Sequence, residues 1–124
     1  MDLYAENILD HYRHPRGKKE GVSGHKELNP TCGDELTIDI KDYSWDGIGC
    51  AISQAAMSML AEEMEEMSQE DIEKLTKQDI FDMLGVPIGT RRTKCALLCL
   101  HTVKNALRKS RSEEMQTWVE TVEI

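Results

Sequence analysis

The chain has 124 residues, 40 % of them hydrophobic and 31 % charged, which predicts one compact domain over residues 1–124 rather than a disordered chain. A formal net charge of −8 excludes nucleic acid as the main partner, because binding phosphates needs clustered Lys and Arg. No run approaches the roughly 18 apolar residues of a membrane span, and Met1-Asp2 opens no basic-then-apolar leader. The expectation is a cytoplasmic protein with reduced thiols and no membrane partner.

Tyr4, Ile8 and Tyr12 recur every four residues and predict a helix over residues 2–13, with Asp2 as N-cap and His14-Pro15-Arg16-Gly17 as its stop. A polar loop follows, with a short strand expected around Val22. Asn29-Pro30-Thr31-Cys32-Gly33-Asp34 reads as a turn by composition. Residues 36–41 alternate apolar and polar, as a strand with one buried face does, and residues 43–46 suit a second, shorter strand.

Gly47-Ile48-Gly49 is expected to open a helix over residues 50–66, with Ile52, Ala55, Ala56, Met59, Leu60 and Met64 as its buried stripe. Ser68 and Thr76 are each followed three residues later by an acid, Asp71 and Asp79, predicting two capped short helices. Gly85-Val86-Pro87 stops the second. A long helix is expected over residues 90–109 and a last one from about Glu113. The fold class predicted is α+β, a small antiparallel sheet packed against several helices.

Four cysteines stand at 32, 50, 95 and 99. Cys95 and Cys99, at i and i+4 on a helix, have Cβ atoms roughly 5–6 Å apart, too far for the roughly 3.5–4.5 Å of a disulfide. Cys32 lies in a Pro/Gly turn two residues before Asp34. Cys50 stands at a helix N-terminus, where unpaired N–H groups and the dipole favour thiolate. Cys95 follows the cations Arg91, Arg92 and Lys94, which favour thiolate too. Buried inert cysteine accounts for any one of these settings; three together point to metal or sulfur chemistry. Three thiolates with Asp34 suit a tetrahedral zinc ion, or an iron–sulfur cluster with one weakly held corner. Cys99, spaced with Ala96 and Val103, reads as core. His25 and His101 have no partner at ligand spacing.

In order along the chain, these segments resemble one family. Leu3-Tyr4, Ile8 through Tyr12 and Pro15-Arg16 resemble its opening helix. Asn29 through Asp34, Gly47 through Ser53 and Arg92 through Leu98 resemble its three ligand motifs. The family is that of the U-type iron–sulfur cluster assembly scaffolds: IscU, SufU and the N-terminal domain of NifU.

The resemblance implies an α+β fold whose cysteines converge at one exposed end, with Cys32, Cys50 and Cys95 as metal ligands. Asp34 is then a ligand, or a neighbour that keeps the cluster labile. It implies a carrier rather than an enzyme. A pyridoxal-phosphate cysteine desulfurase would supply sulfur, iron would join, and a [2Fe–2S] cluster would pass to recipient apo iron–sulfur proteins. The carrier is expected as a monomer or a weak homo-oligomer. Lys94 stands where IscU has a His, and Arg92 with Lys94 is closer to SufU; both cations would support the thiolates. The alternative is therefore a SufU-type zinc-dependent sulfurtransferase, with zinc in the same site, and a third reading is a structural zinc domain. The SufU insertion between the second and third cysteines is missing, and Val86-Pro87-Ile88-Gly89 stands near where IscU has its chaperone-recognition segment. The stretch between Cys32 and Cys50 is shorter than the family's, which predicts a sheet lacking most of a hairpin.

Overall fold

The computed structural model describes residues 3–31 and 33–123, the side chains of residues 3–5 excepted. Asp2, expected as a cap, and the Tyr4 and Cys32 side chains lie outside that set. Along the chain run α1 (Leu3–Arg13), β1 (His25–Leu28), β2 (Glu35–Asp39), β3 (Ser44–Ile48), α2 (Ala51–Met64), α3 (Gln69–Glu73) and α4 (Lys77–Leu84). A 3-10 turn (Thr90–Arg92), α5 (Thr93–Ser110) and α6 (Trp118–Glu123) complete it. The strands form an antiparallel meander in the order β1-β2-β3, so the architecture is α+β.

The alternation read in residues 36–41 sorts the sheet's faces. Leu36 and Ile38 are fully buried, and Trp45, opposite Ile38, joins them. The outer face carries Lys26, bridging to Glu35 at 2.8 Å, together with exposed Leu28 and Ile48 at one end. The short interval before Cys50 does not remove the hairpin. Strands β2 and β3 pair from Glu35↔Ile48 to Asp39↔Ser44, and the economy falls on the turn. There Tyr43 takes a positive φ of 59°, and Asp42 Oδ1 accepts from Ser44 N–H at 2.9 Å and Ser44 Oγ at 2.6 Å.

Helix α2 is the central rod, packed between α1 and α5. Ala55, Ala56, Met59, Leu60 and Met64 are buried as the spacing predicts, while Ile52 is half-buried against the core. Both predicted capping boxes form, Ser68 with Asp71 and Thr76 with Asp79. Gly85 closes α4 in the left-handed conformation.

Other expectations shift. Val22 is in a loop; strand pairing falls instead on Lys18, which bridges to Trp45, and on β1. Gly47 and Ile48 end β3 rather than opening a helix. Among the described side chains of α1 the inward ones are Ile8 and His11, whereas Tyr12 is 46 % exposed. His11 turns in because its Nδ1 meets Ser58 Oγ of α2 at 2.7 Å. The last helix begins at Trp118, since the preceding segment is tied down otherwise. Asn105 Oδ1 accepts from Gln116 N–H at 2.7 Å, and Asn105 Nδ2 donates to the Gln116 carbonyl at 3.1 Å. Among the described residues, no helix is long and apolar enough to cross a membrane.

Candidate metal centre

Register decides where the site falls. Leu28, Glu35 and Ile48 form one cross-strand row. The loop leaving β1 and the chain leaving β3 therefore emerge at the same end of the sheet. The first carries Asp34, the second Cys50. Helix α5 crosses β1 and β2 and brings Cys95, in its first turn, to that end.

The first loop is held by its own backbone, the second by the first. Asn29 N–H donates to the Asp34 carbonyl at 2.8 Å, and Gly33 N–H donates to the Asn29 carbonyl at 2.9 Å. Gly33 sits at φ 77°, a conformation that costs glycine little. Cys50 is the N-cap residue of α2, with extended backbone and no side-chain cap. Its N–H donates instead to Asp34 Oδ1 at 3.1 Å, and its sulfur lies 3.9 Å from Asp34 Oδ2 and 3.9 Å from Ser53 Oγ. Gly49 makes this approach feasible. A Cβ there would stand 2.7 Å from Ser53 Oγ and 2.8 Å from Asp34 Cγ.

Ligand atoms of Asp34, Cys50 and Cys95 all lie within 4.8 Å of one another. A tetrahedral ion with metal–sulfur bonds of ~2.3 Å spaces neighbouring ligand atoms roughly 3.7 Å apart. Contraction by about an ångström thus suffices, and two sulfurs with one carboxylate oxygen fit zinc or iron better than a hard ion. Asp34 and Cys95 are buried and Cys50 is half-buried. Thr31, Asp34, Gly49, Cys50, Arg91, Arg92 and Cys95 line a cleft of about 660 Å³.

Of the residues singled out in the sequence, Asp34, Cys50, Cys95 and Arg92 meet in this cleft, while the Cys32 position lies outside the described residues. Lys94 stands elsewhere, its Nζ over the Trp118 ring at 5.9 Å from the centroid. Arg91 lines the cleft beside Arg92 because the 3-10 turn changes the helical phase just before α5. Cys99 is wholly buried among core side chains, and desolvation pushes its thiol up to about 12. His25 and His101 lie in a separate polar cluster around Glu27. His25 Nε2 is 2.6 Å from Glu27 Oε2, and His101 Nε2 is 3.4 Å from Glu27 Oε1. The contact of Asn29 with Cys95 had no local signal, since it depends on tertiary folding, whereas Ser53 meets Cys50 within the first turn of α2.

An antiparallel meander backed by helices, with two cysteine sulfurs and a carboxylate where two loops and a helix start converge, defines the class of small α+β proteins with a candidate metal centre. Within that class this chain belongs to the NifU-like N terminal domain family, which matches residues 3–117, and so to the U-type iron–sulfur cluster assembly scaffolds. It is 32 % identical to the iron–sulfur cluster assembly scaffold protein IscU of Thermotoga maritima, over 86 % of this chain and 94 % of that one. It is 29 % identical to the zinc-dependent sulfurtransferase SufU of Bacillus subtilis, over 86 % of this chain and 90 % of the relative. A crystal structure of a candidate SUF-system scaffold from Fervidobacterium islandicum matches with a TM-score of 0.63 at 25 % identity. That match covers 85 % of this chain and 96 % of the other.

Proposed function

We propose that this chain works as a single cytosolic domain that assembles a [2Fe–2S] cluster on Cys32, Asp34, Cys50 and Cys95 for delivery to apo iron–sulfur proteins. The observation that carries this reading is the meeting of Asp34, Cys50 and Cys95 ligand atoms within 4.8 Å in an open cleft. The cluster is cargo, so the site must both hold it and release it. Two buried or half-buried sulfurs supply the holding. Asp34, a harder ligand beside soft sulfur, is the corner that lets go. Sulfur comes from a cysteine desulfurase persulfide. A site thiolate attacks the outer sulfur, a new S–S bond forms as the donor's S–S bond breaks, and the donor leaves as thiolate. Two such sulfurs become sulfide with four electrons: two come from the two ferrous ions, which end ferric in the cluster, and two from a pair of thiols, which leave as a disulfide. Arg91 and Arg92 place positive charge at the cleft wall.

The test is anaerobic incubation with ferrous iron, cysteine, a thiol reductant and a cysteine desulfurase. A visible sulfide-to-iron band that survives desalting, with iron and acid-labile sulfide in equal amounts, is expected. Cys32→Ser, Cys50→Ser and Cys95→Ser each abolish it. A protein that binds neither iron nor sulfide refutes the reading. Likeness to the Bacillus subtilis sulfurtransferase supports a second reading, a zinc site that accepts sulfur without building a cluster. Zinc retained through purification and faster desulfurase turnover, without the band, would favour it.

A further inference from the structure

We infer that Asn29 is a positioning residue for the metal centre, donating an N–H···S hydrogen bond to the Cys95 sulfur that fixes its place and weakens its electron donation to a bound metal. The inference rests on the function proposed above and goes beyond it, because Asn29 is not a ligand.

Asn29 is 1 % exposed and holds three roles at once. Its backbone closes the loop carrying Asp34, through N–H to the Asp34 carbonyl at 2.8 Å and its own carbonyl to Gly33 N–H at 2.9 Å. Its Oδ1 accepts from Thr31 N–H at 3.0 Å. That acceptor role fixes the amide's orientation, since a flipped side chain would set NH₂ against a backbone N–H. The NH₂ group must then face the other way, and Nδ2 lies 3.5 Å from Cys95 Sγ.

An amide donor at this distance does two things to a thiolate. It adds a directional partner to a buried sulfur, restricting where the sulfur sits before metal arrives. It also draws density from the sulfur lone pairs, so the sulfur donates less to the metal. In iron–sulfur centres, hydrogen bonds to sulfur are among the factors that set the reduction potential. Partners of this kind around metal ligands typically change metal affinity by about 10–100-fold. Cys50 differs, since its sulfur faces the Asp34 carboxylate and the Ser53 hydroxyl rather than an amide. The two sulfurs are therefore chemically unequal, and Cys95 is the fixed anchor.

The test uses the full chain with three metals as probes. In protein loaded with cadmium-113, a scalar coupling between cadmium and an Asn29 side-chain amide proton is expected across the hydrogen bond. In cobalt-loaded protein, Asn29→Ala and Asn29→Asp should both shift the sulfur-to-cobalt charge-transfer band to lower energy. Both should also weaken zinc binding by about 10–100-fold, lost positioning outweighing the freed sulfur's stronger donation. Asn29→Asp keeps the acceptor for Thr31 N–H but replaces the donor with a negative charge beside the sulfur; Asn29→Ala loses the donor without that charge, so a change shared by both separates sulfur contact from charge and from loop support. Wild-type band and affinity in Asn29→Asp would reduce Asn29 to a loop-holding residue and overturn the inference, as would absence of the coupling in a cadmium-loaded protein. A chain that takes up none of the three metals refutes the function itself, and this inference with it.

Discussion

Replacing Gly49 with alanine puts one methyl group where Asp34 and Cys50 meet. The added Cβ would stand 2.7 Å from Ser53 Oγ and 2.8 Å from Asp34 Cγ, and nearer still to Asp34 Oδ1. Ordinary contact needs roughly 3.5 Å or more, so one partner must move by the better part of an ångström. Ser53 sits on α2, with its hydroxyl donating to the Cys50 carbonyl at 3.0 Å. The loop carrying Asp34 is the softer element. Moving the carboxylate strains its bond from Cys50 N–H and pulls an oxygen away from the ligand group. Overpacking of this kind costs about 1–3 kcal/mol. If that cost falls mainly on the metal-competent arrangement, zinc binding weakens by about 10–100-fold, at 1.4 kcal/mol per tenfold. Competition with a chromophoric chelator reads the affinity, and thermal unfolding of metal-free protein reads the fold. Unchanged zinc affinity in folded Gly49→Ala would refute the claim that close approach at this glycine shapes the centre.

Cys99 should resist alkylation in folded protein near pH 8, with its thiol held up at about 12 by burial. Cys99→Ala should leave metal affinity unchanged, as peptide mass spectrometry and chelator competition would show. Stability should depend on pH through His11 and His101. Burial lowers both imidazole pKa values below the ordinary 6.5, so the folded state favours their neutral forms. Their contribution is complete above about pH 6.5 and is lost as pH falls through the depressed values. Urea midpoints measured between about pH 7.5 and 5.5 should fall on acidification, less steeply in His101→Gln; a flat profile would contradict this. Thr76→Ala removes one side of the capping box on α4 and should cost about 1 kcal/mol. That corresponds to roughly 3–6 °C in Tm by calorimetry, with zinc affinity unaltered.

What could be read from the sequence was what depends on near neighbours. The alternation of β2 and the Ser68 and Thr76 capping boxes are local patterns, and the structure contains them. The order of the cysteine segments was legible too, although their convergence needed the sheet register. What escaped depends on distant partners. His11 is buried because Ser58 supplies a hydrogen-bond partner that no spacing in α1 reveals. Strand β1 reads His-Lys-Glu-Leu, with no apolar alternation, because its inward positions hold His25 and Glu27 in a polar cluster beneath α5. Arg91 rather than Lys94 reaches the cleft because one 3-10 turn resets the phase of what reads as a continuous helix.

Trp118 donates its indole N–H to the Leu28 carbonyl at 3.1 Å, and its ring stacks on His101 at 4.1 Å. Asn29, the next residue after Leu28, contacts Cys95, and Asn105 reaches Glu27. Residues 27–29 thus pair with β2 and the loop that follows, and are tied as well to segments far later in the chain. During vectorial synthesis the local partners emerge at once, whereas those on α5, and then Trp118, exist only later. Long loop closures of this sort are slow compared with helix formation. The contacts between the loop carrying Asp34 and α5 therefore form late, and the growing chain presents cysteines before it presents a centre.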